Sequence, residues 1–210
     1  MLENVEVLFH SAIKFYFNNK IVYVDPYGLQ EFTKDADIIF ITHDHYDHFS
    51  IDDIQKIKKE DTVFILPESM NEKAIESGIE TDKIIKVVPN KEYEYQELKF
   101  ETIPSYNINK KFHPKENNWI GYIIEVNNIR YYIAGDTDFT PESKNVKCDI
   151  ALVPIGGTYT MNYEEAAKLV NQISPKIVIP IHYGKVVGTK QDAEKFKGIL
   201  YKDIECVIMI

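Results

Sequence analysis

Thr42-His43-Asp44-His45-Tyr46-Asp47-His48 places three imidazoles and two carboxylates within seven residues, directly after the apolar run Ile38-Ile39-Phe40-Ile41. The chain has only six histidines, so half of them fall in this one segment. A β-rich run that stops at such a cluster predicts a buried strand ending in a metal-binding loop. Imidazole and carboxylate together suit zinc, manganese or iron. In extended backbone His43 and His45 point to the same side, while Asp47 and His48 turn toward a neighbouring position.

Short β-rich runs precede the loop. Val5–Phe9, Ile13–Phe17 and Ile21–Val24 predict an antiparallel meander, the last two joined through the turn pair Asn18-Asn19. Ser50 followed by Asp52 and Asp53 predicts a capped helix whose Ile51, Ile54 and Ile57 share one face. A strand at 63–66 and a short helix closing at Gly78 follow. The second half repeats this order. Strands are expected at 99–103, 121–126 and 129–133, with Asn127-Asn128 as the turn, and Asp149–Pro154 echoes Asp37–Thr42 in pattern. Asn162 and Glu165 form a capping-box signature for a helix from Tyr163 to Ile173, which Ser174-Pro175 ends. Two such ββα halves predict an α/β fold with two sheets face to face and helices outside, a four-layer αββα sandwich.

The H-x-H-x-D-H arrangement after a hydrophobic strand resembles the metallo-β-lactamase superfamily, whose fold is this sandwich. Asp25, at the end of Ile21–Val24 and before Pro26, resembles the aspartate that supports a ligand histidine from behind. Asp136, in Ala134-Gly135-Asp136-Thr137, resembles the carboxylate bridging two metals. His182, in Ile179-Pro180-Ile181-His182, resembles the last ligand of the second metal. Leu8-Phe9-His10-Ser11 and Asp25-Pro26-Tyr27 are similar to segments of the ascorbate-phosphate-lactonase-like and phospholipase-D-like branch of small hydrolases, which implies that His10 lies near the metals.

One position departs from the pattern. Where the family supplies a further histidine, Pro104-Ser105-Tyr106-Asn107 offers asparagine, and His113 follows six residues later. The sequence leaves three possibilities: His113 as ligand, Asn107 as ligand, or neither.

The resemblance implies two divalent ions, zinc first with manganese or iron as alternatives. His43, His45 and His113 would hold one, Asp47, His48 and His182 the other, with Asp136 between them. It also implies a metal-bound hydroxide as nucleophile, because zinc brings the pKa of water from about 15.7 to about 7. Asp47 would orient it, and His10, Tyr106 and Tyr183 are the proton-donor candidates. The expected substrate is small and anionic, carrying an ester, lactone or phosphodiester-type bond. Lys111, with Lys110 and Lys115 beside it, Asn107 and Tyr159 are possible contacts to it. A non-catalytic metal- or ligand-binding domain is the alternative.

At 210 residues and 44% hydrophobic content the whole chain, 1–210, is expected to form a single domain. A net charge of −9 disfavours a broad nucleic-acid interface. The N-terminal residues lack signal-peptide features and no apolar run approaches a membrane span, so a cytoplasmic protein with no membrane insertion is expected. Cys148 and Cys206 read as reduced, buried thiols. Oligomeric state is not encoded legibly.

Overall fold

The computed structural model describes residues 2–210, which form two compact units divided between Val88 and Pro89. The first carries β1 (Val5–Phe9), β2 (Ala12–Phe17), β3 (Lys20–Val24), β4 (Ala36–Phe40), α1 (Ile51–Ile57), β5 (Lys58–Pro67), α2 (Asn71–Glu76) and β6 (Ile84–Val87). Its strands lie side by side in chain order, β1 to β6. β1, β2 and β3 pair antiparallel, and β3 to β6 are parallel.

The second unit carries β7 (Glu92–Tyr95), β8 (Leu98–Pro104), β9 (Ile120–Val126), β10 (Ile129–Ile133), β11 (Ile150–Pro154), α3 (Tyr163–Ile173), β12 (Ile177–Ile181), α4 (Lys190–Gly198) and β13 (Glu205–Cys206). These strands also lie in chain order, antiparallel from β7 to β10 and parallel from β10 to β13. Each unit is therefore a meander that switches to parallel pairing.

The two switches are built alike. Asn18 and Asn19 have φ of 48° and 61°, and Asn127 and Asn128 have 51° and 62°. Consecutive left-handed residues make the tight turn whose twist matches a hairpin, and asparagine tolerates that region. Two residues into the following strand, a backbone N–H donates to an aspartate heading the first parallel strand. Ile21 N lies 2.7 Å from Asp37 Oδ2, and Arg130 N lies 3.1 Å from Asp149 Oδ2. A lysine takes the other oxygen: Lys59 Nζ is 2.6 Å from Asp37 Oδ1, and Lys176 Nζ is 2.8 Å from Asp149 Oδ1.

Each sheet packs helices through an apolar cluster. Ile54 and Ile57 of α1 and Ala74 of α2 join Ile39, Phe64 and Leu66 in the first unit. Ala166, Leu169, Val170 and Ile173 of α3 and Phe196 of α4 join Tyr132, Val153 and Val178 in the second. Residues on the other face of β4, Ile38 and Phe40, are also buried, which explains an uninterrupted apolar run where alternation would mark a half-exposed strand.

The capping predictions agree with the structure. Ser50 Oγ accepts from Asp53 N, and Asn162 Oδ1 accepts from Glu164 N and Glu165 N while Glu165 returns a carboxylate to Asn162 N. Ser174 terminates α3 in the left-handed conformation. β6, β7 and α4 were not anticipated. α4 presents only Ala193 and Phe196 to the core, so its apolar periodicity is weak; Asp192, accepting from the Thr189 N–H and hydroxyl, fixes its start. β7 reads Glu-Tyr-Glu-Tyr, the charged composition of a sheet edge.

Candidate metal centre

In the first unit the proposed ligands follow the C-terminal ends of β3 and β4, adjacent parallel strands just past the change of pairing. Open sheets offer their ligand sites at such ends. Asp25 takes a left-handed backbone, φ 46°, and folds its carboxylate over the next loop. Oδ1 accepts the Thr42 N–H at 2.8 Å; Oδ2 lies 2.6 Å from Thr42 Oγ1 and 2.7 Å from His48 Nδ1. Thr42 Oγ1 is also 2.9 Å from His43 Nδ1.

These contacts set the tautomers. The Thr42 hydroxyl spends its one proton on Asp25, so it accepts from His43 Nδ1–H, and His48 Nδ1–H donates to Asp25. Both rings then present Nε2 as a lone pair, the state in which imidazole binds a metal. The anticipated role of Asp25 thus has a geometric basis. Thr42, which orients His43, was not anticipated, although a hydroxyl beside a ligand histidine is a readable signal.

His45 is half-buried with its ring 4.7 Å from that of His43, and its carbonyl accepts from His48 N and Phe49 N in the turn that brings Asp47 and His48 round. Asp47 Oδ2 is 3.3 Å from His10 Nε2 and 3.9 Å from His48 Nε2. A ligand atom from each of His10, Asp47 and His48 therefore falls within a 4.8 Å cluster. His10, buried and at φ 52°, reaches it from the irregular pairing between β1 and β2. Lys73 Nζ holds the loop's outer side, 2.7 Å from Asp44 O and 2.9 Å from Asp44 Oδ2.

In the second unit Asp136 follows β10 after Gly135, and His182 follows β12 with φ 58°. Asp136 Oδ2 is 3.1 Å from His182 Nε2 and 3.3 Å from His113 Nε2. All three residues are buried. Asn107 Oδ1 is 3.1 Å from both the backbone N and Nδ1 of His113, so the amide oxygen takes Nδ1–H and leaves Nε2 facing Asp136. Asn107 Nδ2 donates to Asp138 Oδ1 at 3.3 Å and Tyr159 O at 3.0 Å. The carboxamide is engaged at both ends within the protein.

The donor chemistry and spacing fit divalent metal. Two ligands about 2.05 Å from a tetrahedral zinc stand about 3.3 Å apart. The 3.1 Å and 3.3 Å separations about Asp136 Oδ2 match that edge. His10, Asp25 and His182 are non-glycine residues in the left-handed region, where backbone costs of order 1 kcal/mol are tolerated at functional positions. Gly156 is required by close approach: a Cβ there would lie 2.4 Å from His182 O and 3.3 Å from His182 Nδ1.

Several other anticipated residues have partners within the protein. Lys110 pairs with Asp138 at 2.5 Å and Lys115 with Glu142 at 2.8 Å, while Lys111 is exposed. Tyr106 donates to Glu142 at 2.8 Å; burial and then that carboxylate raise its pKa. Tyr183 donates to Ile210 O at 2.6 Å, and burial pushes its pKa up to about 12. Both hydroxyls are thus hydrogen-bonded to acceptors within the protein. Tyr159 is half-buried, its ring edge-on to Phe112 at 4.7 Å. The two cysteines are free thiols, Cys148 half-buried and Cys206 buried; desolvation raises their pKa to about 12 and about 11, which removes thiolate nucleophiles near neutral pH.

A mixed α/β fold with two sheets and paired His/Asp clusters at strand ends defines a metallo-β-lactamase-type protein. The chain belongs to this superfamily: residues 4–182 match the model described as the beta-lactamase superfamily domain. It is 31% identical to a UPF0173 metal-dependent hydrolase of Lysinibacillus sphaericus (strain C3-41) across 91% of this chain and 89% of that one. Among solved structures, a candidate metal-dependent hydrolase from Parabacteroides distasonis ATCC 8503 superposes with a TM-score of 0.82 at 32% identity, covering 97% of this chain and 91% of the other. Igni18, a metallo hydrolase from Ignicoccus hospitalis KIN4/I, shares the fold at a TM-score of 0.79 and 21% identity, covering 98% and 94%. The protein is a metal-dependent hydrolase. Among the described residues, no helix is long and apolar enough to cross a membrane.

Proposed function

We propose that the chain hydrolyses a small anionic substrate with an ester, lactone or phosphodiester-type bond at a centre of two divalent ions, zinc first. In this reading the whole chain, 1–210, acts as a single domain. His43, His45 and His113 would hold one ion and Asp47, His48 and His182 the other, with Asp136 between them. The observation that carries the reading is the orientation of the imidazoles: Thr42, Asp25 and Asn107 take the Nδ1–H of His43, His48 and His113, each fixing Nε2 as the donor atom. Asn107 thereby takes the supporting role and His113 the ligand role.

Bound divalent ions would acidify a water and polarise the scissile group. The chain's own residues position the reaction. Asp47 offers a carboxylate between His10 and His48 and orients the attacking water. His10, 3.3 Å from that carboxylate, is placed to exchange a proton with it. Neither cysteine is needed as a nucleophile in this reading.

Metal analysis of freshly purified protein, followed by phosphodiester, lactone and ester panels with that metal restored, tests the proposal. Near two ions per chain and chelator-sensitive turnover of one bond class are expected. Turnover unaffected by exhaustive chelation, or a chain that binds no divalent metal, would overturn it. Two bound ions with no turnover across the panel would favour a non-catalytic metal-binding domain.

A further inference from the structure

In the first unit one exposed aromatic interrupts the ligand loop: Tyr46, between His45 and Asp47, is 65% exposed while Thr42, His43, Asp47, His48 and Phe49 are buried. Its ring lies edge-on to Tyr27 at 5.8 Å, and Tyr27 in turn lies edge-on to His10 at 6.1 Å. Tyr27 is itself held in place. The Gly28 and Leu29 N–H groups donate to the buried Asp53 carboxylate at 2.9 and 3.1 Å, clamping the segment to α1.

The second unit shows the same arrangement independently. Phe112, next to His113, is 45% exposed and stands edge-on to Tyr159 at 4.7 Å. Scattered exposed apolar residues are ordinary, but here each half pairs an exposed ring with a second aromatic directly beside a proposed ligand. An edge-on pair leaves a ring face open to a planar partner, and such contacts favour flat apolar groups over small alkyl ones.

We propose that the substrate of this hydrolase carries an aromatic or similarly planar apolar group beside the scissile bond, taken up by one of the two aromatic pairs, Tyr46 on Tyr27 or Phe112 on Tyr159. The inference rests on the metal-hydrolase reading above and specifies its substrate. The anionic head addresses the metals; the ring addresses an aromatic pair. Asp53 is then a positioning residue for Tyr27.

Calorimetric binding of phenylphosphonate and methylphosphonate to the metal-loaded protein separates the two contributions without turnover. Wild type is expected to prefer phenylphosphonate by about tenfold or more, the scale of one buried aromatic contact. Tyr46→Ala or Phe112→Ala should erase most of that preference while retaining metal and methylphosphonate affinity. Loss of preference in either variant supports the proposal. Two variants in different units guard against a local folding failure in one. Equal affinity for the two phosphonates in wild type, or a preference retained in both variants, overturns the aromatic inference and leaves the hydrolase reading standing. Failure of both phosphonates to bind a protein that also takes up no metal removes both.

Discussion

The first unit gathers its proposed donors in one loop: His43, His45, Asp47 and His48 all follow β4, and only His10 comes from elsewhere. The second gathers His113, Asp136 and His182 from three separate loops, with β9 to β12 intervening. Yet the frameworks correspond, each with an Asn-Asn turn, an aspartate bonded to the preceding strand and a lysine closing the pair. The difference lies in what supports the imidazoles. Asp25, a carboxylate, backs His48, whereas Asn107, a neutral amide, backs His113. An anionic partner raises ligand basicity as well as fixing the tautomer, so the first half is electronically the stronger and the second depends more on geometry.

The largest expected effect is on the residue that joins the dispersed half. Asp136→Ala should abolish hydrolysis and lower metal content, with circular dichroism unchanged; full metal content and wild-type turnover would remove Asp136 from the centre. Asp47→Ala should also lose activity, while retaining much of the metal assigned to His43, His45 and His113. Equal loss of both metals would show that the two ions do not load separately.

The supports give a graded test. Outer hydrogen-bond partners of metal ligands typically contribute about 10- to 100-fold in metal affinity. Asp25→Ala is expected near the upper end of that range and Asn107→Ala near the lower, with His113→Ala more damaging than Asn107→Ala. Titration with a competing chelator reads all three. If Asn107→Ala proves the most damaging, the asparagine rather than the histidine is the ligand, and a harder ion than zinc becomes the better assignment.

The smallest effects concern the matched aspartates. Asp37→Asn and Asp149→Asn should each cost about 1–2 kcal/mol through weakened backbone and lysine partners, and thermal unfolding should show similar shifts. For Asp149 the hydrogen bond from Lys176, then that from the Arg130 N–H, hold the carboxyl below its ordinary range. Because its folded pKa is depressed, the stabilisation is present above the unfolded value of about 3.9 and is lost as pH falls through the folded one. Asp149→Asn should therefore flatten the acid limb of stability below about pH 4, measured by denaturant unfolding. An unchanged slope would mean the pair is screened by solvent and contributes little.

Local chemistry made much of this legible. Seven contiguous residues carried the first ligand group, Asn-Asn pairs marked two hairpins, and Ser50 and Asn162 marked two helix starts, because turn and cap preferences depend on neighbours in sequence. β7 and α4 were hidden, since a charged edge strand and a helix with two core residues leave little apolar periodicity. The aspartate and histidine of the second half could be named only through family resemblance. Sequence left open what stood opposite them.

Tertiary structure decided the rest. It made Asn107 a hydrogen-bond partner of His113, paired Lys110 and Lys115 with carboxylates, and directed the Tyr106 and Tyr183 hydroxyls to internal acceptors. It also revealed Thr42 as the relay between Asp25 and His43. The physical reason is common to all of these. Residue type and spacing fix which groups are available and what local backbone they favour, but a hydrogen bond depends on distance and direction between segments remote in the chain, and those are set only when the strands have paired and their loops have met.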